Sequence, residues 1–180
     1  MPKVLIALIV IGLAGFFAFQ DSFAPPKGMI STHKPALAKT VSNASFTDIK
    51  GNSYTLHEYK GRIIVLNFWA TWCPPCIIEF PQLLELANRE QDNITLITLS
   101  VDENPEDITK FLNTLSAENQ AHLTLGNVII GLDTDKSISR EIFKTTMYPE
   151  TFIIDKNLTI KHKIEGITDW LGINIQRLLK

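Results

Sequence analysis

Cysteine is scarce in this chain, with two among 180 residues. Without a second cysteine pair it lacks the usual four-ligand set of a structural zinc site. Its four histidines, His33, His57, His122 and His162, are scattered without ligand spacing, so no metal is expected. A basic cluster is also missing. The 17 Lys and Arg stand against 19 Asp and Glu, a net charge of −2, which leaves no electrostatic footprint for nucleic acid. No internal repeat is present. No cysteine follows the apolar N-terminal run, which excludes a lipoprotein anchor there. What remains, with 45% hydrophobic residues, suits one globular domain of ordinary size with a short N-terminal appendage.

That appendage begins Met1-Pro2-Lys3 and continues as an apolar stretch from Val4 to Phe19. Residues 1–20 are expected to be a signal-anchor, crossing the membrane through residues 4–19. Sixteen apolar residues are slightly fewer than the roughly 20 a spanning helix prefers. Ser22-x-Ala24 loosely matches a cleavage site, so processing stays open. The length of the run and its aromatic end, Phe16, Phe17 and Phe19, favour an uncleaved anchor. Lys3 would then stay in the cytoplasm and send the rest outward. Residues 21–43, rich in Pro, Ser, Thr, Ala and Lys, read as a linker, and a domain is expected over 44–180.

The two cysteines occur together in Phe68-Trp69-Ala70-Thr71-Trp72-Cys73-Pro74-Pro75-Cys76. The continuous apolar run Ile63–Trp69 predicts a strand buried on both faces, and helical spacing of Ile77, Phe80, Leu83, Leu84, Leu86 and Ala87 predicts a helix from Pro74 to about Arg89. Cys73 therefore sits at a strand-to-helix junction, where free backbone N–H groups and the positive dipole end stabilise a thiolate. Cys76 follows one turn later, placed to attack a mixed disulfide on Cys73. Pro74 fits the first turn, where a missing N–H is harmless, while Pro81 predicts a kink. A purely structural bridge closing so short a loop would remove little unfolded-chain entropy. The pattern points to a redox-active dithiol.

Around this unit the sequence predicts a hairpin of Phe46–Ile49 and Ser53–Leu56, a buried strand Ile94–Val101 and a helix from Pro105 to about Glu118. A strand Val128–Leu132 and a short helix Ser137–Lys144 follow. Thr151–Ile154 and Leu158–Ile164 read as a second hairpin, and Thr168–Lys180 as a closing helix that starts at Thr168 or Asp169. Alternating strands and helices followed by a hairpin give an α/β fold, a mixed sheet covered on both faces.

With Glu79-Phe80-Pro81 just after the cysteines and Tyr148-Pro149-Glu150-Thr151-Phe152-Ile153-Ile154-Asp155 near the end, the chain from Ala44 onward resembles the thioredoxin superfamily. Within it, the match is to membrane-anchored oxidoreductases of the TlpA, ResA and DsbE (CcmG) type. The resemblance implies a thioredoxin-like fold, with a central mixed β-sheet flanked by helices. It also implies a cis Tyr148–Pro149 bond beside the cysteines, where neighbouring backbone pairs with bound substrate. Trp72, Pro74, Pro75, Tyr148, Pro149 and Glu150 form the expected substrate-binding face. Trp69 is expected in the core and Trp72 on the surface. Cytosolic thioredoxins carry a buried aspartate where this chain has Asn67. Glu79, three positions after Cys76, is the expected substitute that takes the Cys76 proton.

Pro-Glu-Thr is similar to the DsbE proteins that serve cytochrome c maturation, whereas a residue as bulky as Tyr148 departs from the small ones usual before that proline. The implied activity is reduction of protein disulfides through Cys73, Cys76 and Glu79, with apocytochrome c as leading substrate. A donor of the DsbD or CcdA type in the bacterial cytoplasmic membrane would supply electrons, with the domain on the periplasmic side and no dissociable cofactor. Two alternatives stand beside it: a disulfide oxidase or isomerase on the same fold, and a copper-binding or copper-delivery protein using the two thiolates. Met147 is the sole Met or His candidate near the pair for the latter.

Overall fold

The computed structural model describes residues 30–31, 41 and 44–179. The membrane-segment assignment (1–20), most of the linker and Lys180 lie outside the described residues. Among the described residues no helix is long and apolar enough to cross a membrane.

Among the described residues eight strands form one mixed sheet: β1 (Ile30–Ser31), β2 (Ser45–Asp48), β3 (Ser53–Thr55), β4 (Ile63–Trp69), β5 (Ile94–Ser100), β6 (Val128–Leu132), β7 (Glu150–Ile154) and β8 (Ile160–Glu165). Their order is β1-β8-β7-β4-β5-β6-β2-β3. β4 is central. It pairs in parallel with β5, Trp69 opposite Ser100, and antiparallel with β7, Phe68 opposite Glu150. All seven residues of β4 and of β5 are buried, as expected of strands covered on both faces. Ser45–Asp48 and Ser53–Thr55 pair antiparallel, and β2 then adds to β6.

The pleat of β4 divides the core. Ile63, Val65 and Trp69 face one cluster, packed under helices α1 (Pro74–Arg89), α2 (Pro105–Thr114) and α4 (Ile173–Leu178). Ile64, Leu66 and Phe68 face the other, with Phe46, Leu56, Ile138, Phe143 and Phe152. Period-two alternation in one strand therefore feeds two apolar layers.

Several boundaries differ from the sequence reading. The helix expected over 105–118 ends at Thr114: Leu115 turns extended and Ser116 caps a second helix, α3 (Ala117–His122), by accepting from Asn119 N–H. The closing helix does not begin at Thr168 or Asp169. It begins at Ile173 after Gly172, because Thr168 and Trp170 turn back toward α1 and spend their N–H groups on Glu79 and Gln82. The segment expected to be helical over 137–144 is a single wide turn, Ser137–Ile142, with Phe143 N–H reaching the Ile138 carbonyl, and it stops before Lys144 at φ +56°. Asp133 anchors its start by accepting from the N–H groups of Ile138 and Ser139. Leu56 opens a short 3-10 turn instead of extending β3. α1 continues through Pro81 to Arg89. Within the stretch read as linker, Ile30–Ser31 pairs with β8.

Candidate active site

β4 ends at Trp69, and the chain turns through Ala70-Thr71-Trp72 into α1 with Cys73 as its N-cap and Pro74 and Pro75 in the first turn. A cap residue leaves the helix with unpaired N–H groups, and two prolines in the first turn cost little because those N–H groups have no intrahelical partner. Both cysteines are buried, and they are joined as a disulfide with Cα atoms 5.3 Å apart.

The turn is tied down by Asp102, which sequence reasoning missed. This buried carboxylate, two residues past β5, accepts from Thr71 N–H (2.9 Å), the Thr71 hydroxyl (2.7 Å) and the Ser100 hydroxyl (2.5 Å). No motif around it marked that role; only the parallel register that brings Trp69 beside Ser100 does.

On the α1 side of the sheet, Glu79 lies one turn beyond Cys76 and is 1% exposed. Its Oε1 accepts from Asn67 Nδ2 at 3.3 Å, and its Oε2 from Trp170 Nε1 at 3.1 Å and Thr168 N–H at 3.3 Å. Burial raises its pKa to about 7 against the opposing pull of those three donors. Desolvation wins because the donors are neutral and two of the three contacts are long. Asn67 also donates to the Thr151 hydroxyl at 2.9 Å, binding β4 to β7 beside the carboxyl. Trp170 and Thr168 were not anticipated as site residues.

The Tyr148–Pro149 bond is cis. Pro149 is buried and Tyr148 half-buried, with the Tyr148 ring edge-on to Trp72 at 6.1 Å between centroids. Trp72 is 62% exposed, whereas Trp69 is fully buried against Phe80 and Phe111. Trp72 next to Cys73, Met147 next to Tyr148 (52% exposed) and Pro74 at the start of α1 are all exposed.

Glu150 belongs elsewhere. It shares its sheet face with Phe68 and Phe152, opposite to Glu79, and is fully buried. Lys163 Nζ approaches its Oε1 to 2.9 Å and bridges to Glu165 at 2.8 Å, while neither Glu150 oxygen has a partner in hydrogen-bond geometry. Burial raises its pKa, and Thr145 and Lys163 pull the other way. Its side chain is enclosed, away from the face where the sequence expected it to meet a substrate, and its strand is paired on both sides, with Phe68 and with Glu165. The structure thus gathers Cys73, Cys76, Glu79, Trp72, Tyr148 and Pro149 at one end of the sheet and sets the Glu150 carboxyl behind it.

Residues 36–170 match the Redoxin family model. The thiol-disulfide oxidoreductase ResA of Bacillus cereus is 30% identical over 165 residues, which is 91% of this chain and 86% of that protein. The thiol:disulfide interchange protein DsbE of Vibrio cholerae is 33% identical over 132 residues, 72% of this chain and 65% of that one. Among solved structures, the thioredoxin domain of a thiol-disulfide oxidoreductase from Bacteroides vulgatus superposes with a TM-score of 0.64 at 25% identity, covering 81% of this chain and 99% of that domain. These matches, over a site built on the Cys73–Cys76 pair, show that the chain belongs to the Redoxin family, as a thiol:disulfide oxidoreductase of the TlpA, ResA and DsbE type.

Proposed function

We propose that the protein is a membrane-tethered reductase that works outside the cytoplasm and passes electrons through Cys73 and Cys76 to oxidised protein cysteines, with apocytochrome c as leading substrate. The observation that carries this is a buried Cys76 followed one helical turn later by a buried Glu79 carboxyl whose pKa of about 7 lets it exchange a proton near neutral pH. A thiol shut away from water needs such a neighbour.

The reduced enzyme would act in two steps. The Cys73 thiolate attacks one sulfur of the substrate disulfide, forming a mixed disulfide and releasing the other substrate sulfur as thiolate, which takes up a proton. Cys76 then gives its proton to the Glu79 carboxylate and attacks the Cys73 sulfur. The Cys73–Cys76 disulfide forms, and the second substrate thiolate leaves and is protonated. Two electrons have moved from the enzyme dithiol to the substrate. A membrane dithiol protein of the DsbD or CcdA type would return them. Trp72, Pro74, Pro75, Tyr148 and the backbone around Pro149 would receive the substrate chain. Similarity to ResA and DsbE supports the direction of flow, and the Val4–Phe19 apolar run supports the tether.

The test is the reduction potential of the full chain, equilibrated against glutathione or dithiothreitol with thiol trapping. A value near or below about −270 mV is expected. One near about −120 mV would make the protein an oxidant and remove apocytochrome c as substrate. Cys76→Ser should accumulate a mixed disulfide at Cys73, and Cys73→Ser should accumulate none; trapping through Cys76 would reverse the two roles.

A further inference from the structure

α3 packs against α1 away from the cysteine end, and their contact brings together three groups that the redox chemistry does not use. Glu85 lies nine residues after Cys76 on α1, about 13 Å further along the helix axis. Glu118 and His122 lie on α3 four residues apart, hence on one face. One donor atom from each of the three falls within 4.8 Å of the other two. His122 is 9% exposed and its Nδ1 has no hydrogen-bond partner; it stands 3.9 Å from Glu85 Oε2, too far for a hydrogen bond. The other Glu85 oxygen is held at 2.6 Å by Arg89 Nε, and Asn88 Nδ2 reaches Oε2 only at 3.4 Å. A buried imidazole nitrogen without a partner, facing a carboxylate oxygen held only by the long Asn88 contact, is an unfilled coordination requirement.

We propose that Glu85, Glu118 and His122 form a binding site for a divalent late transition-metal ion of the zinc, cobalt and nickel class. The imidazole selects this class over magnesium and calcium, which take oxygen ligands. Metal–ligand bonds of about 2.0–2.2 Å bring neighbouring donors to roughly 3–3.5 Å. Glu85 and His122 are close to that separation already, and Glu118, exposed at the start of α3, closes the remainder by rotating its side chain. Water completes the shell on the Glu118 side. Arg89 stays on the outer Glu85 oxygen and offsets part of the carboxylate charge. A bound ion clamps α3 to the helix that carries Cys76 and Glu79.

The experiment titrates zinc into the full chain with Cys73 and Cys76 oxidised, which removes the thiolates as competing ligands, and reads binding by calorimetry and the unfolding temperature. One saturable site and a rise in unfolding temperature are expected, with Glu118→Gln and His122→Gln each weakening the affinity at least tenfold and magnesium giving no response. Glu118→Gln lies at an exposed position and keeps the test decisive if His122→Gln fails to fold. Absence of saturable one-to-one uptake, or equal affinity in the unaltered chain and Glu118→Gln, overturns the site. Neither result depends on the direction of electron flow at the disulfide.

Discussion

At Glu79 the carboxyl exchanges water for three N–H donors, and the exchange is a net loss for its ionised form. The folded state therefore holds the proton more tightly than the unfolded chain, whose value is the ordinary 4.5. The stability linked to this group is fully present below pH 4.5 and is lost as pH rises through about 7, a change on the order of 3 kcal/mol. Glu79→Gln should flatten this part of the stability profile, measured by urea unfolding from pH 4.5 to 8. It should also slow disulfide exchange at pH 7 by about 10²-fold, the lower end of what a positioned general base contributes. An unchanged rate would reduce Glu79 to a buried packing residue. Asn67 suits this neighbour better than an aspartate would, since an amide donates to a carboxylate at 3.3 Å where a second carboxylate would repel it. Glu79 was readable as the carboxylate three positions after Cys76, and Asn67 drew notice only through the resemblance to thioredoxins, which carry an aspartate there. Trp170 and Thr168 were not legible, because nothing local in 168–170 marks a segment that donates to a residue on α1.

Among the elements, the junction of β4 and α1 was legible and its support was not. A run that is apolar but for Asn67, followed by Cys-Pro-Pro-Cys, identifies a strand feeding a helix, but the Asp102 brace arises from parallel pairing between strands that are separated in sequence. Asp102→Ala leaves the Thr71 N–H and two hydroxyls without their acceptor and should destabilise the fold by about 1–3 kcal/mol. Asp102→Asn, which keeps one acceptor oxygen, should lose less. Equal urea midpoints for Asp102→Ala and the unaltered chain would dismiss the brace. The helix breaks were hidden for a different reason. Leu115 continues the apolar spacing of α2, so periodicity carries past the true end, and only Ser116 as a cap signals the restart. At the C-terminus Thr168 and Asp169 looked like caps, yet the Trp170 ring and N–H groups are drawn to Glu79 and Gln82, and the helix waits for Gly172.

For the whole molecule, the alternation of buried strands and amphipathic helices was enough to identify a mixed sheet with two covered faces, since burial on both sides leaves mainly apolar runs without polar alternation, such as Ile63–Trp69 and Ile94–Ser100. The place where the N-terminal pair of strands joins was not legible. β2 lies against β6 at Gly131, where a Cβ would come within 2.6 Å of Leu99 Cδ2 and 2.7 Å of Phe46 Cδ2. Both belong to the second apolar layer. Gly131→Val should lower stability by about 1–3 kcal/mol through overpacking, read as a drop of several degrees in unfolding temperature; no drop would show that β2 yields freely. The Glu79 site spans the chain even more widely. Its Trp170 and Thr168 donors are 91 and 89 residues away. Synthesis proceeds from the N-terminus, so the cysteines emerge long before the residues that hold the carboxyl beside them. A partly made chain therefore exposes both cysteines while the groups that hold the Glu79 carboxyl are still missing, and that carboxyl gains its surroundings only when the segment around Trp170 has folded back onto α1.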